Sequence, residues 1–176
     1  KNKYDFVINC VGVLNFNVDK NIKNAIFVNS YFPHLLAHYG SNYNFKLIHI
    51  STDCVFSGNL GNYDESALKD GIGAYSQTKS LGEVIDSINL TFRTSIIGPE
   101  IKLDGIGLFH WFMNQNKVIS GYNNVYWTGV TTLELAKAIK EAINCDLKGV
   151  YHLVNNIKIS KLEILTIFNE VFKKNN

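Results

Sequence analysis

The sequence lacks the features that mark secreted, metal-binding and membrane-spanning proteins. Its 176 residues include three widely spaced cysteines with no C-x-x-C pair, so we expect neither a disulfide framework nor a zinc site. No apolar run approaches the roughly 20 residues of a membrane span. No signal peptide is visible, and a reducing, cytoplasmic location is therefore expected.

The chain also lacks an excess of either charge. Lysine and arginine number 17 against 15 acidic residues, which gives a net charge of +2 with no basic cluster. A nucleic-acid partner is therefore not expected. His34 and His38 are spaced as helical metal ligands can be, but no third ligand accompanies them, so no metal is predicted.

An alternation of strands and helices occupies the first half of the chain. Short apolar runs that end in small or polar residues predict buried parallel strands at 5–12, 45–50 and 90–97. Helices are predicted at 18–39, interrupted or kinked by Pro33, and at about 75–87, with a loop over 58–73. This order predicts an α/β fold with a parallel sheet covered on both faces.

The pattern changes after Pro99. An aromatic-rich helix is predicted within 105–116, followed by extended pieces at 118–119 and 125–127. A further helix should run from Thr131 or Thr132 to about residue 143, and a strand should cover 149–154. Ser160 is predicted to cap the last helix, with Glu163 completing a capping box.

The predicted strand ends indicate where chemistry would occur. Ligands of parallel α/β sheets bind beyond the carboxyl ends of the strands, which here carry Asn9, Thr52 and Thr94. Tyr75 and Lys79 are four residues apart and share one helix face. A nearby ammonium should lower the pKa of the phenol, which is about 10 in free tyrosine.

Thr52, Tyr75 and Lys79 together can hold a carbonyl oxygen. The hydroxyl would donate a hydrogen bond, the phenol would transfer a proton, and the ammonium would stabilise the phenolate. Each feature also has an ordinary structural reading. Tyr-Lys pairs occur by chance on helix surfaces, and a Ser-Thr-Asp sequence often caps a turn.

Five segments in this order resemble the extended short-chain dehydrogenase/reductases. Within that family they are most similar to the dTDP-4-dehydrorhamnose reductase branch of nucleotide-sugar enzymes. The matching segments are 7–12 (VINCVG), 28–33 (VNSYFP), 51–58 (STDCVFSG), 75–83 (YSQTKSLGE) and 92–95 (FRTS). The resemblance covers about residues 4–154.

The resemblance implies NAD(P)H-dependent reduction of a keto group on a nucleotide-linked sugar, as in polysaccharide biosynthesis, with NAD or NADP as cofactor. Tyr75 would be the proton donor, with Lys79 and Thr52 as its catalytic partners. The implied cofactor-binding residues are Cys10, Val11, Gly12, Val13, Asn29, Ser51, Tyr75, Lys79, Thr94 and Ser95. The implied substrate-binding residues are Thr52, Asp53, Cys54 and Ile96. A homodimer is compatible with the resemblance.

By the same resemblance, residues 1–98 would form part of a Rossmann-like NAD(P)-binding domain. Residues 99–130 and 155–176 would form a small substrate-binding portion, and 131–154 would return to the first domain.

The sequence departs from the family pattern in three places. No G-x-x-G-x-x-G loop precedes Tyr4, so we expect a fragment without the N-terminal strands, inactive by itself. Cys54 and Ile96 stand where rhamnose-pathway enzymes usually carry Tyr and Trp, which makes dTDP-rhamnose an unexpected product. The family also normally continues past the helix that ends near Lys174.

Two other functions fit the same resemblance. An epimerase or dehydratase on this scaffold would recycle its cofactor, and a regulatory subunit would keep the fold without turnover. The role of Arg93 stays open between a buried ion pair and a substrate contact. Trp111 and Trp127 stay open between nucleotide-base anchors and core packing.

Overall fold

The computed structural model describes residues 3–101 and 104–174. The chain divides into two compact units. The first contains the residues up to Thr94 and Ile139–His152, and the second contains Ser95–Ala138 and the residues from Leu153 onward.

The strands and helices are short. The strands are β1 (Phe6–Asn9), β2 (Lys46–Ile50), β3 (Leu90–Arg93), β4 (Ile96–Ile97), β5 (Tyr126–Trp127), β6 (Val130–Thr131), β7 (Gly149–His152) and β8 (Ile159–Ser160). The α-helices are α1 (Asn15–Lys20), α2 (Ile22–Ala25), α3 (Phe32–Tyr43), α4 (Ala74–Leu81), α5 (Leu108–Met113), α6 (Thr132–Asn144) and α7 (Lys161–Phe172).

The first unit is built on a parallel sheet in the order β1-β2-β3-β7. All four positions of β3 are buried, which requires cover on both faces of the sheet. The core includes Leu47, Ile48, Leu90 and Phe92, each at most 4% exposed. The α/β fold with a parallel sheet, predicted from the sequence, is confirmed.

The helical run between β1 and β2 differs from the single kinked helix predicted. It consists of α1, α2, a π-helical turn (Ile26–Tyr31) and α3. Pro33 is the second residue of α3, which directly follows the π-helical turn. Asn44 ends α3 in the left-handed conformation, with φ 59°, which asparagine tolerates better than most residues.

Helix α4 ends at Leu81, earlier than the predicted residue 87. The chain turns at Asp86, whose carboxylate accepts hydrogen bonds from the main-chain N–H groups of Ile88 and Asn89. The Asn89 side chain then accepts from the Leu47 N–H at 2.8 Å, which aligns the start of β3 with β2.

The predicted strand over 90–97 is two strands. β3 stops at Arg93, and β4 pairs in parallel with β6, which belongs to the second unit. The intervening Ser95 carbonyl accepts from the Val130 N–H at 2.9 Å, and this bond draws the chain out of the first sheet.

The second unit contains the β4–β6 pair and an antiparallel β5–β8 pair. An aromatic cluster joins α5 to α7, with ring centroids 5.0–5.3 Å apart between Phe109 and Phe168, Phe109 and Phe172, and Phe112 and Phe168. Helix α5 is shorter than predicted, and the described residues 118–119 form no strand. The predicted capping box of Ser160 and Glu163 is confirmed.

None of the helices in the described ranges combines the length and apolar character that a membrane crossing requires.

Candidate active site

The carboxyl ends of β1, β2 and β3 lie side by side because these strands are neighbours and parallel. The residues that follow them are segment 10–13, residues 51–53 and Thr94. Three of the sequence-predicted groups therefore meet at one edge of the first unit's sheet, as parallel topology requires.

Two buried asparagines hold segment 10–13. The Asn9 side chain accepts a hydrogen bond from the Val11 N–H at 3.1 Å. The Asn29 side chain accepts from the Val13 N–H at 2.7 Å and donates to the Val13 carbonyl at 2.9 Å. The backbone of the segment is thereby fixed while Cys10, Val11 and Gly12 stay exposed.

Asn29 is fully buried, so it binds the exposed segment 10–13 from the protein interior. It lies in the π-helical turn, and its amide also donates to the Thr78 hydroxyl of α4 at 3.3 Å. Gly82 allows this close approach, since a Cβ added there would overlap the Asn29 carbonyl oxygen. The residue after α4 therefore packs on the Asn29 main chain, while the Asn29 side-chain amide binds Thr78 within α4.

His49 supports Asn9 from within the sheet. Its Nδ1 lies 3.1 Å from the Asn9 amide nitrogen, which makes Nδ1 the acceptor. Burial is the main cause that lowers the pKa of His49 to about 3, with the Lys79 charge adding to it. The imidazole is therefore neutral at physiological pH.

Lys79 is buried under the end of β2. Its ammonium donates to the Ile50 carbonyl oxygen at 2.9 Å, and the residue is only 4% exposed. Burial lowers the pKa of Lys79 to about 8, against the opposing influence of Glu83 and Cys10. Lys79 is thus largely cationic at neutral pH and loses its proton within a mildly alkaline range.

Tyr75 lies one turn before Lys79 on α4 and is half-buried. Burial raises the pKa of its phenol, while hydrogen bonding with the Thr52 side chain lowers it. The expectation that the Lys79 ammonium would bring this pKa down is not met in the structure. Burial is the strongest influence on the phenol, and the Lys79 ammonium donates to Ile50 instead.

Thr52 caps the short 3₁₀ turn Asp53–Val55, as the structural reading of Ser-Thr-Asp predicted. Its hydroxyl accepts from the Cys54 N–H at 3.1 Å and donates to the Asp53 carboxylate at 3.3 Å. The same side chain interacts with the Tyr75 phenol. The capping and catalytic readings of Thr52 are therefore compatible.

Cys54 and Cys10 place thiols beside this group. Cys54 is exposed, and its sulfur lies 3.6 Å from the Asp53 carboxylate. Cys10 is exposed as a residue, but partial desolvation of its thiol raises the pKa of Cys10, and the Lys79 charge only partly offsets this. Cys10 is therefore a neutral thiol at neutral pH, as a lining residue would be, and not an activated nucleophile.

Ser51 does not face the open edge of the sheet. It is buried, and its hydroxyl donates to the Glu83 carboxylate at 2.8 Å. Glu83 in turn forms a two-point ion pair with Arg93. Arg93 is thus held in a buried ion pair, one of the two roles that the sequence left open. Sequence reasoning did not single out Glu83, because helix α4 ends before it and its partner Arg93 lies ten residues further along the chain.

The predicted site residues after β3, Thr94 to Ile96, are divided between the two units. Thr94 is buried at the end of β3 in the first unit. Ser95 and Ile96 belong to the second unit, where the Ser95 hydroxyl accepts from the Trp127 indole N–H at 2.8 Å. Ile96 forms part of β4 beside Val130. Trp127 is therefore fixed by a hydrogen bond within its own unit.

Among the described residues, no group of three or more His, Cys, Asp or Glu side chains could hold a metal ion. The first unit instead gathers a phenol, a hydroxyl and an ammonium near an exposed, rigidly held backbone segment. This set can bind a carbonyl oxygen and protonate it.

The structure defines first a class: a Rossmann-like α/β protein whose polar residues gather at the carboxyl edge of a parallel sheet. The sequence model of the RmlD substrate binding domain matches residues 1–175, and the chain belongs to that family. No curated protein matches the chain.

Solved structures with the same fold include four described as dTDP-4-dehydrorhamnose reductases. The chain is similar to a hypothetical dTDP-4-dehydrorhamnose reductase from Sulfolobus tokodaii, with 25% identity, a TM-score of 0.84, and coverage of 96% of this chain and 61% of that one. The enzyme from Bacillus anthracis, solved in complex with NADP, gives 22% identity, a TM-score of 0.83, and coverage of 97% and 63%.

A UDP-N-acetylglucosamine 4-epimerase from Methanobrevibacter ruminantium shares the fold at 16% identity, a TM-score of 0.83, and coverage of 97% and 61%. The chain therefore spans about three fifths of the length of these solved structures.

Proposed function

We propose that the protein reduces a keto group on a nucleotide-linked sugar, with NADH or NADPH as the reductant. The observation that carries this proposal is the meeting of Thr52, Tyr75 and Lys79 at the carboxyl edge of the sheet. Membership of the RmlD substrate binding domain family supports it.

The residues of the first unit fit the nicotinamide end of a dinucleotide. Segment 10–13 is exposed, and its backbone is fixed by Asn9 and Asn29. A Cβ added at Gly12 would meet only the Asn29 side-chain oxygen, at 3.6 Å, so a flat ring can approach the backbone there. The described residues contain no glycine-rich phosphate loop, so this fit concerns the nicotinamide and its ribose.

In the proposed reaction the carbonyl carbon gains a hydride, which bound NAD(P)H supplies. Tyr75 gives its phenolic proton to the carbonyl oxygen and is then protonated again from solvent. Its raised pKa keeps the proton on the phenol at neutral pH, as a donor requires. Thr52 donates a hydrogen bond to the same oxygen, and Lys79 would bind the nicotinamide ribose, as the family resemblance implies.

We assign the cofactor and the reacting keto group to the first unit, where Thr52, Asp53 and Cys54 would face the sugar. Cys54 and Ile96 offer less stacking surface than the Tyr and Trp of rhamnose-pathway enzymes, so a sugar other than the rhamnose precursor is proposed. Such a reductase would serve polysaccharide biosynthesis in the cytoplasm.

The proposal is tested by following NADPH and NADH consumption with the full-length protein and a panel of 4-keto nucleotide sugars. One cofactor oxidised per sugar reduced is the expected stoichiometry. Sugar conversion without net oxidation would instead identify an epimerase or dehydratase. Tight cofactor binding with no turnover of any sugar would identify a regulatory subunit.

A further inference from the structure

A buried ion pair between Glu83 and Arg93 binds Ser51, the residue next to Thr52. Arg93 Nε lies 2.9 Å from Glu83 Oε1, and Arg93 Nη2 lies 2.9 Å from Glu83 Oε2. The two side chains are 3% and 0% exposed. Such a two-point arrangement fixes both side chains in orientation as well as in distance.

The Glu83 carboxylate also binds two groups on other segments. The Ser51 hydroxyl, next to Thr52, donates to it at 2.8 Å, and the Lys69 ammonium donates at 3.1 Å. Lys69 further donates to the Ser80 carbonyl at 2.9 Å. One carboxylate thus connects the end of β2, the loop before α4 and, through Lys69, the last turn of α4.

Arg93 extends the network to β7 and to the loop of residues 56–70. Its Nη1 donates to the Glu65 carbonyl at 3.1 Å and lies 3.2 Å from His152 Nε2. The Glu65 carboxylate accepts from the His152 N–H at 2.8 Å. The guanidinium carbon is also 5.2 Å from the centre of the Phe56 ring.

The cluster holds two cations and two carboxylates. Arg93 and Lys69 both form ion pairs with the Glu83 carboxylate, whereas the Glu65 carboxylate accepts from the His152 N–H. Burial lowers the pKa of His152, which leaves it neutral as the acceptor for Arg93. A buried ion pair is weak as a source of stability, since its desolvation cost offsets much of the attraction. The pair more clearly serves to position its neighbours, because its hydrogen bonds link the segment that carries Thr52 to the helix that carries Tyr75.

We propose that Glu83 and Arg93 are positioning residues of the proposed reductase. They hold the Ser51–Thr52 strand end and the loop of residues 56–70 against α4, so that the Thr52 hydroxyl and the Tyr75 phenol reach the same carbonyl oxygen. This inference rests on the proposed function.

The decisive experiment is a double-mutant cycle in the full-length protein with Glu83→Gln and Thr52→Ala. Glu83→Gln keeps the side-chain shape but removes the charge that binds Ser51, Lys69 and Arg93. Because small misplacement of a catalytic group can be costly, we expect kcat to fall about 10- to 100-fold. The dissociation constant for NADPH should change less than about threefold, because segment 10–13 does not contact this pair.

In the Thr52→Ala background the same Glu83→Gln substitution should lower kcat by less than about threefold, since the group that it positions is already gone. Equal losses in both backgrounds would overturn the proposal, and so would an unchanged kcat in the single variant. A purely structural role predicts equal losses.

Ser51→Ala provides a second variant that leaves the Glu83–Arg93 pair intact and removes only the hydroxyl next to Thr52. It should lower kcat in the same direction, and a normal kcat would count against the proposal. Asp146→Asn is the matched control, because it removes an exposed ion pair with Lys46 in the same unit and should leave kcat unchanged.

Hydrogen exchange separates failure of this proposal from failure of the proposed function. If the wild type turns over no keto sugar, the reductase assignment fails. Amide exchange in Glu83→Gln then still reports on the linkage. Faster exchange confined to residues 51–70 supports it, whereas unchanged exchange there overturns it.

Discussion

The Lys79 ammonium donates a 2.9 Å hydrogen bond to the main-chain carbonyl oxygen of Ile50, the last residue of β2. This bond ties α4 to the strand that leads into Thr52. The same ammonium is buried, and a dependence of stability on pH follows from that burial.

Burial of Lys79 predicts a distinct dependence of stability on pH. Its pKa falls from 10.5 to about 8 in the folded protein. Between these values the unfolded chain binds a proton that the folded chain has released, so the free energy of unfolding rises with pH. The difference of about 2.5 between these two pKa values corresponds to about 3 kcal/mol.

Urea unfolding between pH 7 and 10 measures this effect. The wild type should gain stability relative to Lys79→Met across that range. Lys79→Arg should lack the same gain, because its guanidinium stays protonated throughout. If the stability of the three proteins changed with pH in the same way, folding would not lower the pKa of Lys79.

Asn29 predicts a link between stability and cofactor binding. Asn29→Asp keeps the acceptor for the Val13 N–H but loses the donors to the Val13 carbonyl and the Thr78 hydroxyl. Unsatisfied buried groups make the expected loss about 1–3 kcal/mol in urea unfolding. NADPH affinity, measured by fluorescence titration of the full-length protein, should fall as well.

The control is Asn42→Asp, an exposed position on α3 whose amide contacts only His38 among the described hydrogen bonds. Asn42→Asp should change neither the stability in urea nor the affinity for NADPH. Loss of stability in Asn29→Asp with full NADPH affinity would separate Asn29 from the cofactor segment.

We expect position 82 to tolerate no residue other than glycine. A Cβ there would overlap the Asn29 carbonyl oxygen, which is main chain and cannot turn away. Gly82→Ala should therefore cost about 1–3 kcal/mol or more, as overpacking of a core does. Gly73→Ala serves as the comparison, because a Cβ there meets only Ser76 Oγ at 4.0 Å. Equal melting temperatures for the two variants would contradict this packing.

A substitution at Cys54 should change the sugar preference of the proposed reductase. Cys54→Tyr would place an aromatic ring beside Asp53, where rhamnose-pathway enzymes carry one. A single aromatic contact contributes about 0.5–1.5 kcal/mol, so kcat/KM for dTDP-4-dehydrorhamnose should rise about 2- to 10-fold relative to other keto sugars. Cys145→Tyr, at an exposed position after α6, should leave the ratio unchanged. An unchanged ratio in Cys54→Tyr would remove Cys54 from the sugar-binding surface.

The sequence was sufficient for features that depend on local pattern. The apolar runs before Asn9 and Ser51 predicted the parallel strands, and Ser160 with Glu163 predicted a helix start. The strand over 90–97 was predicted too long, because its end depends on a hydrogen bond between Ser95 and Val130.

Features that depend on tertiary burial could not be read from local pattern. The raised pKa of Tyr75 follows from its cover within the first unit, whereas sequence spacing suggested a lowered one. The Glu83–Arg93 pair joins residues ten positions apart across a turn, so no helical spacing reveals it. The close contact of Gly82 with Asn29 likewise exists only once the helices pack.

The central claim is that Tyr75 protonates a keto sugar. It is tested most directly by single-turnover NADPH oxidation in the full-length protein and its Tyr75→Phe variant, with the most active sugar of the panel. The rate should fall about 10²- to 10⁴-fold, as loss of a general acid predicts, while NADPH affinity is kept. Tyr43→Phe, which removes an exposed phenol on α3, should retain the wild-type rate. A Tyr75→Phe variant that oxidises NADPH at the wild-type rate would contradict the account.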